Sequence, residues 1–439
     1  MKKKINEILK KVLQKINCED KNLLIKKELR IFLQTIKKEI SSKKIQAEVF
    51  VGGSFAKSTV INKKIHDIDV FIRFSNKYEE KDFQHLTKNI LSKYKDIKMV
   101  HGSRDYYQLK VNDFLVIEIV PVLKVNNPKQ ARNITDLSYS HVRYVRSKTN
   151  SLAPYSKRNK KIKSKKALDE IKLAKAFCEA KGVYGAESYI KGFSGYSLEL
   201  LIIHYKTFMN FLKKISEAGK DKIIIDIEKN YKNKNQILMD LNESKLGSPI
   251  ILIDPTYKQR NALAALSEES FRKFQEDAKK FIKNPSEKDF EIQKIDLEKI
   301  KKQAQKKKLE FSLIEIKTNK QEGDIAGSKL LKFYNHFTKE TTPFFEIKDR
   351  GFNYNNKKSS RFFFVAKAKK EIISEGPLLK DKKNVIRFKK AHKKTFNKNG
   401  KIFAKQNINF SLNQFVNHWK KKNSRKLKEM DIIDLKVVD

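Results

Sequence analysis

Two carboxylates one residue apart open an apolar run, Asp67-Ile68-Asp69-Val70-Phe71. This spacing narrows the fold more than any other feature. On a strand, residues two apart point the same way, so Asp67 and Asp69 share a face while Ile68 and Val70 turn to a core. His66 falls on the side opposite Asp67, where an orienting or exposed role is expected rather than metal ligation. A third acid, Glu118, stands between Ile117 and Ile119 in another apolar run. The pattern expects it on a neighbouring strand of one small sheet, on the same polar face. Upstream, Gly52-Gly53-Ser54-Phe55-Ala56-Lys57 leaves the strand-like run Ala47 to Val51 and enters a helix near Ser54.

Clustered carboxylates repel one another unless a cation sits between them. Hard oxygen ligands select Mg²⁺, which keeps other positions for water and phosphate oxygens. Two such ions serve an in-line displacement, one at the attacking hydroxyl and one at the leaving pyrophosphate. The turn supplies backbone N–H groups and the Ser54 hydroxyl for phosphate oxygens. Gly52 and Gly53 let the backbone come close, and Lys57 adds positive charge. Singly, each feature has a plainer reading: a turn, a solvated strand face, an edge-strand acid. In this order, on these elements, they imply a site for a nucleoside triphosphate and Mg²⁺.

Around this core, Ile5, Ile8, Leu9, Val12, Leu13 and Ile16 recur at helical spacing, and a second helix is expected from about Lys21 to Ile40. Strands are expected at 67–74 and 113–120, with a helix at 81–94 between them. Ser147 to Lys166, polar and basic with Pro154, reads as a linker or loop. A mostly helical stretch follows: 167–180 closed by Lys181-Gly182, a single apolar helix over 198–215, and a helix opened by Ser267 that stops before Pro285. Beyond Pro285 a charged helix runs to about Lys308. Strands then fall near 309–317, 344–348, 361–368 and 401–405, and helices at 328–338 and 412–421. The expected division is 1–146, 147–284 and 285–439.

At 439 residues the chain has room for two to four domains. No apolar run reaches the roughly 18 residues of a membrane helix, and Met1-Lys-Lys-Lys-Ile lacks a signal-peptide core. Cys18 and Cys178 have no metal-ligand spacing. These features predict an intracellular, cytoplasmic protein with no disulfide, no structural zinc and no membrane association. Lys and Arg number 98 against 51 Asp and Glu, a net charge of +47. Codon bias can inflate Lys, Asn and Ile together, but it does not account for the shortage of acids. A field of this size suits a large polyanion: RNA, DNA or an anionic membrane. Lysines act on phosphate as point charges more than as base readers.

The turn and three acids together resemble the signature of the nucleotidyltransferase superfamily that includes DNA polymerase β and poly(A) polymerases. Further motifs narrow the likeness: Tyr184-Gly185-Ala186-Glu187, Gly192-Phe193-Ser194-Gly195-Tyr196, Ile253-Asp254-Pro255, and Arg260-Asn261-Ala262-Leu263. The series resembles the archaeal (class I) CCA-adding enzymes, from the first helix almost to the C-terminus. The resemblance implies an α+β multidomain fold: a polymerase β-like palm of mixed sheet and helices, a mostly helical central domain, and a basic α+β C-terminal region binding tRNA.

It also implies roles. Asp67, Asp69 and Glu118 match the metal-binding carboxylates, with Mg²⁺ as cofactor. Gly53, Ser54 and Lys57 match the turn that holds the triphosphate. His141, Lys175 and Tyr184 match residues that contact the triphosphate, and Ser138 falls where a Thr lies near the sugar. Arg260 matches the arginine that hydrogen-bonds the incoming base. The partners so implied are ATP, CTP and the acceptor stem and 3′ end of tRNA; association as a homodimer is left open. Two positions depart from the family pattern, Lys57 for Arg and Glu118 for Asp, and the loop between Ser54 and Asp67 is about one residue longer. Read without the resemblance, Lys175 is a solvated helix lysine, Tyr184 a packing residue, His141 a satisfied histidine and Arg260 a salt-bridge residue. Another RNA nucleotidyltransferase of the superfamily, such as a poly(A) polymerase, and a catalytically silent RNA-binding protein remain as alternatives.

Overall fold

The opening amphipathic pattern forms two helices, α1 (Lys2–Ile16) and α2 (Glu19–Ser42). The structure, a computed structural model, describes residues 2–102, 104–151, 160–293 and 295–438. It divides into two compact units, Met1–Gln293 and Lys294–Asp439.

In the first unit α2 leads into β1 (Ala47–Val51), the one-turn helix α3 (Gly53–Ala56), β2 (His66–Phe74), α4 (Glu80–Ile90), β3 (Ile97–Val100), β4 (Tyr106–Asn112) and β5 (Leu115–Leu123). The strands form one sheet in the order β1-β2-β5-β4-β3. Only β2 and β5 run parallel; the other pairs are antiparallel. Strand parity then sorts the side chains. Ile68, Val70, Ile72, Ile117 and Ile119 face a core closed by Leu29, Phe32 and Ile36 of α2 and Phe83 and Ile90 of α4. β3 and β4 were not expected. Tyr107, Leu109 and Val111 do alternate, but the lysines around them blunt the signal.

The second half of this unit holds α5 (Ser138–Ser151), α6 (Lys160–Ala180), α7 (Gly195–Tyr205), α8 (Phe208–Ser216), β6 (Ile223–Ile225), α9 (Lys234–Asp240), α10 (Glu243–Leu246), β7 (Ile250–Asp254), β8 (Tyr257–Asn261) and α11 (Glu268–Lys283). A small sheet, β6-β7-β8, interrupts the helices. Phe177, Phe193, Phe211, Phe274 and Phe281 centre the core, and Ile5, Ile8 and Val12 of α1 belong to it. α1 therefore serves the helical layer. Position 146 lies inside α5, and the one boundary between compact units falls at 293/294.

Two further expectations need correcting. The apolar stretch 198–215 is not one helix. Lys206 takes φ 71 after α7, and Thr207 caps α8 by accepting a hydrogen bond from the Asn210 backbone N–H. The expected linker 147–166 is helical at both ends, within α5 and α6, while 152–159, with Pro154, lie outside the described residues. The predicted boundaries hold elsewhere: Gly182, closing α6, has φ +66, and Ser267 opens α11 as its N-cap.

The second unit comprises α12 (Leu297–Lys306), β9 (Glu310–Thr318), α13 (Asp324–Thr341), β10 (Phe345–Tyr354), β11 (Ser359–Ala368), β12 (Glu371–Leu378), α14 (Lys382–Ala391), β13 (Thr395–Lys398), β14 (Lys401–Asn407), α15 (Leu412–Lys422), α16 (Ser424–Glu429) and β15 (Ile432–Val438). β10-β11-β9-β15 form an antiparallel sheet, and β12-β14-β13 a smaller one. Phe333, Phe337, Phe362, Phe364 and Trp419 fill the main core. The lysine-dense stretch 380–401 lies largely exposed on α14 and β13. Among the described residues no helix is long and apolar enough to cross a membrane.

Candidate active site

Parallel pairing of β2 with β5 brings the acids together. Asp69 and Glu118 are register partners, and Asp67 pairs with Val116 on the same sheet. Asp67 is exposed, while Asp69 and Glu118 are partly buried. Gln108, opposite Glu118 on β4, donates its Nε2 hydrogen to Glu118 Oε1 at 2.8 Å. Burial pushes the Asp69 carboxyl up to about 6, and Asp67 nearby adds to the push although Lys57 opposes it. Burial, with the Asp69 and Asp67 charges, pushes Glu118 up to about 7. Asp67 is raised too, because the surrounding protein displaces part of its water even though the side chain keeps an exposed edge, while Lys63 opposes the shift. The neighbouring Tyr106 hydroxyl is driven to about 12 by burial and by the three acids.

Among the described residues no three His, Cys, Asp or Glu side chains stand close enough together to hold a metal ion as they are placed. Oxygen-only donors on adjacent strands, reluctant to ionise side by side, nonetheless suit a hard divalent cation. The donor set therefore fits such an ion.

The glycine turn sits directly against these acids. The Gly52 N–H donates to the Asp69 carbonyl at 2.8 Å. Gly53 has φ +58, and a Cβ on it would lie 1.7 Å from Asp69 Oδ2. Only glycine allows the turn to rest on the carboxylate. Ser54 is the second residue of α3, and its carbonyl accepts from the Thr59 N–H at 3.0 Å.

Lys57 turns inward. Its Nζ lies 2.6 Å from Glu199 Oε2 on α7. Lys175 of α6 reaches the other oxygen, Oε1, at 2.7 Å and donates to Thr59 Oγ1 at 2.8 Å. Thr59 Oγ1 in turn donates to Glu199 Oε1 at 2.8 Å. The three charged side chains are 7%, 2% and 0% exposed for Lys57, Lys175 and Glu199, so the cluster carries one surplus positive charge out of water. Burial works against the Glu199 carboxylate, but the two lysines outweigh it and hold its carboxyl near 2. Burial brings Lys175 down to about 8, with Lys57 and Lys63 adding to the shift and Glu199 opposing it. Gly195 opens α7 beside it. A Cβ there would meet the Tyr184 hydroxyl at 2.9 Å and Lys175 Nζ at 3.7 Å, so Tyr184 and Lys175 close on the same spot.

A second acid organises the far side. Asp254, at the end of β7, is fully buried. Its Oδ2 lies 2.7 Å from Arg260 Nη1 and 3.0 Å from His141 Nε2. Its Oδ1 accepts from the Tyr196 hydroxyl at 3.0 Å and from the Thr256 N–H and hydroxyl at 2.8 Å each. Burial opposes its charge, but these partners hold its carboxyl well below the usual carboxylate range. The His141 ring stacks on Tyr196 with centroids 4.0 Å apart. Lys57 Nζ lies 5.6 Å from the same Tyr196 ring. Asp69, Gly53, Lys57, Lys175, Tyr184, His141 and Arg260 thus lie along one run of contacts. Ser138, partly buried, opens α5 one helical turn before His141.

Of the orienting or exposed role expected of His66, the exposed half does not hold. It is 2% exposed, on the core face that parity demands, and its Nε2 has no hydrogen-bond partner among the described residues. Five residues of the network around the two buried acids went unassigned in the sequence: Thr59, Tyr196, Glu199, Asp254 and Thr256. Glu199 had left a trace, a lone acid in Leu198-Glu199-Leu200-Leu201-Ile202, where a fully apolar helix has no other use for a charge.

Comparisons with known proteins agree with this geometry. Residues 33–136 match the model of the nucleotidyltransferase domain. Residues 169–291 match that of the tRNA nucleotidyltransferase second domain. A CCA-adding enzyme of Nanoarchaeum equitans is 41% identical over 226 residues, covering 51% of this chain and 52% of that protein. One from Methanocaldococcus jannaschii is 29% identical over 418 residues, covering 91% of this chain and 87% of the relative. The match thus spans about half the length of the first relative and most of the second. Among solved structures, one of Cid1, described for its RNA terminal uridylyl transferase activity, superposes with a TM-score of 0.50 at 12% identity, over 67% of this chain and 99% of Cid1. That likeness speaks to the fold, a polymerase β-like α+β arrangement. With palm sheet, glycine turn and paired acids in place, the two matched segments and the run of relatives make this chain similar to the archaeal CCA-adding enzymes.

Proposed function

We propose that this protein adds C, C and A to the 3′ end of tRNA from CTP and ATP without a template, releasing pyrophosphate. The observation that carries the reading is the in-register pairing of Asp69 with Glu118 beneath the Gly53 turn. From there one run of contacts leads through Lys57 and Tyr196 to His141, Asp254 and Arg260.

Each part has a task in an in-line transfer, where positioning and charge neutralisation supply nearly all the catalysis. Asp67, Asp69 and Glu118 would hold the divalent cation, Mg²⁺ by the hardness of its donors. Held by these carboxylates, such an ion would supply positive charge to acidify the tRNA 3′-hydroxyl and to offset charge on the departing pyrophosphate. The Gly53-Ser54 turn presents backbone N–H groups to the triphosphate. Lys57, Lys175, His141 and Tyr184 line the path of its phosphates, and Ser138 lies toward the sugar. The surplus charge of the Lys57–Glu199–Lys175 cluster favours an anion beside it. Arg260 meets the base. The lysine-rich second unit would hold the tRNA by backbone and shape, the mode suited to A-form RNA.

The test is a tRNA ending at its discriminator base, incubated with each nucleoside triphosphate singly and in pairs, with products sized. Three additions needing only CTP and ATP are expected, and none from Asp69→Ala. An open-ended A or U ladder would overturn the reading.

A further inference from the structure

The bases to be accepted and refused differ in a simple way. Along the pairing edge, C and A offer an amino donor next to a ring-nitrogen acceptor. U and G offer a ring N–H donor next to a carbonyl acceptor. Arginine carries donors only. A guanidinium held opposite the ring nitrogen therefore pairs with C and A and opposes U and G. One free to slide by an atom's width would find the carbonyl oxygen of U or G instead. Selection thus needs an arginine that is both present and immobile.

The structure shows what immobilises Arg260. Nη1 is tied to Asp254 Oδ2 at 2.7 Å, and it is the one guanidinium nitrogen with a hydrogen bond among the described residues. The Arg260 side chain keeps 23% exposure while Asp254 has none. Asp254 itself cannot shift. It takes five hydrogen bonds, from Arg260, His141, Tyr196 and twice from Thr256. Five donors saturate a carboxylate. They come from α5, α7, the turn after β7 and β8, so the anchor is fixed from several elements at once. The carboxylate also joins Arg260 to His141 on one oxygen, linking the base contact to a residue beside the triphosphate path.

We propose that Asp254 is the specificity-determining positioning residue of this site. It pins Arg260 so that the guanidinium accepts C and A and rejects U and G. The inference rests on the reading of Arg260 as the base contact. The competing role is that of a turn residue, since Asp254 also accepts from the Thr256 N–H.

The experiment measures kcat/KM for CTP against UTP and ATP against GTP on full-length protein with tRNA lacking CCA. The proteins compared are the wild type, Asp254→Asn, Arg260→Ala and the double variant. Asp254→Asn is expected to lower the C/U and A/G ratios on the order of 10-fold or more, the value of one charged hydrogen bond. In the Arg260→Ala background the same change should leave the ratios unmoved, because Asp254 acts through Arg260. If Asp254→Asn does not fold, Asp254→Glu keeps the charge, shifts the carboxylate by one methylene and should lower the ratios in the same way. Unchanged ratios, or an equal fall for all four nucleotides, overturn the proposal and leave Asp254 a turn residue. A wild type that adds no C, C and A refutes the functional reading itself, a result distinct from either.

Discussion

Glu199→Gln tests the cation cluster most directly. Glutamine has the shape of the neutral carboxyl, so the change removes charge and little else. The size of the effect follows from how strongly the cluster holds that charge. The Glu199 carboxyl titrates near 2 where an ordinary glutamate titrates at 4.5. At about 1.4 kcal/mol per pH unit, that difference is worth about 3 kcal/mol. This falls at the low end of the roughly 3–5 kcal/mol lost when one partner of a buried pair is removed. The sign is that of a depressed acid: the stability is present above about pH 4.5 and is lost as pH falls toward 2. Lys175 works the other way. With its pKa brought down to about 8, keeping it charged costs stability below pH 8, a cost that fades as pH rises toward 10.5. Without Glu199 only lowering influences face Lys175, namely burial, Lys57 and Lys63, with the Thr59 hydroxyl left as partner. Lys175 should then lose its proton near neutral pH. Urea unfolding at pH 7 should show a loss of about 3 kcal/mol. The pH profile of nucleotide addition should show its alkaline limb moved to lower pH, and the KM for nucleotide should rise. A loss under about 1 kcal/mol with an unmoved alkaline limb would refute the account of Glu199 as the shared counter-ion.

Gly53→Ala should separate chemistry from stability. The positive φ costs about 1–2 kcal/mol, but a Cβ placed 1.7 Å from Asp69 Oδ2 must displace that carboxylate. Incorporation should therefore nearly vanish while thermal unfolding shifts only modestly; normal incorporation would show that the turn does not seat Asp69. Metal binding should release protons near neutrality, because Asp69 and Glu118 titrate near 6 and 7 in the metal-free protein and a divalent cation favours their charged forms. Titration with Mg²⁺ in weak buffer at pH 6.5 should acidify the solution, and at pH 9 should not; equal release at both pH values would point to other ligands.

Local pattern and long-range pairing differ in how well the sequence exposes them. The alternation around Asp67 and Asp69 names the strand, its polar face and its core face, because a strand's parity is fixed by covalent geometry. The caps at Gly182 and Ser267 are equally local. The break at Lys206 was hidden. Apolar residues run through it, and only the Thr207 cap, a weak cue inside an apolar stretch, marks the second start. Among the site residues, the carboxylates were visible as a motif. Glu199 and Asp254 were not: the lysines on Glu199 lie 24 and 142 positions away, and Asp254 is fixed by Tyr196 and His141, 58 and 113 positions back, as well as by its neighbours. No periodicity reports a contact of that kind. Lys57 illustrates the cost: composition presents it as one more exposed lysine, and the fold buries it against an acid on another element.

The two anchoring acids share an address. Glu199 and Asp254 both lie in the segment 169–291, whereas the metal-binding candidates Asp67, Asp69 and Glu118 all lie in 33–136. The proposed reactive centre and the proposed means of choosing its substrate are thus written in separate stretches of chain, which meet at Lys57 and Thr59 against Glu199 and Lys175 and at Lys63 against Glu179. Over evolutionary time such a division lets the choice of nucleotide drift by substitutions in the later stretch while the chemistry stays untouched. It equally means that the earlier stretch, transplanted alone, would carry the acids for the reaction without the means to say which nucleotide enters it.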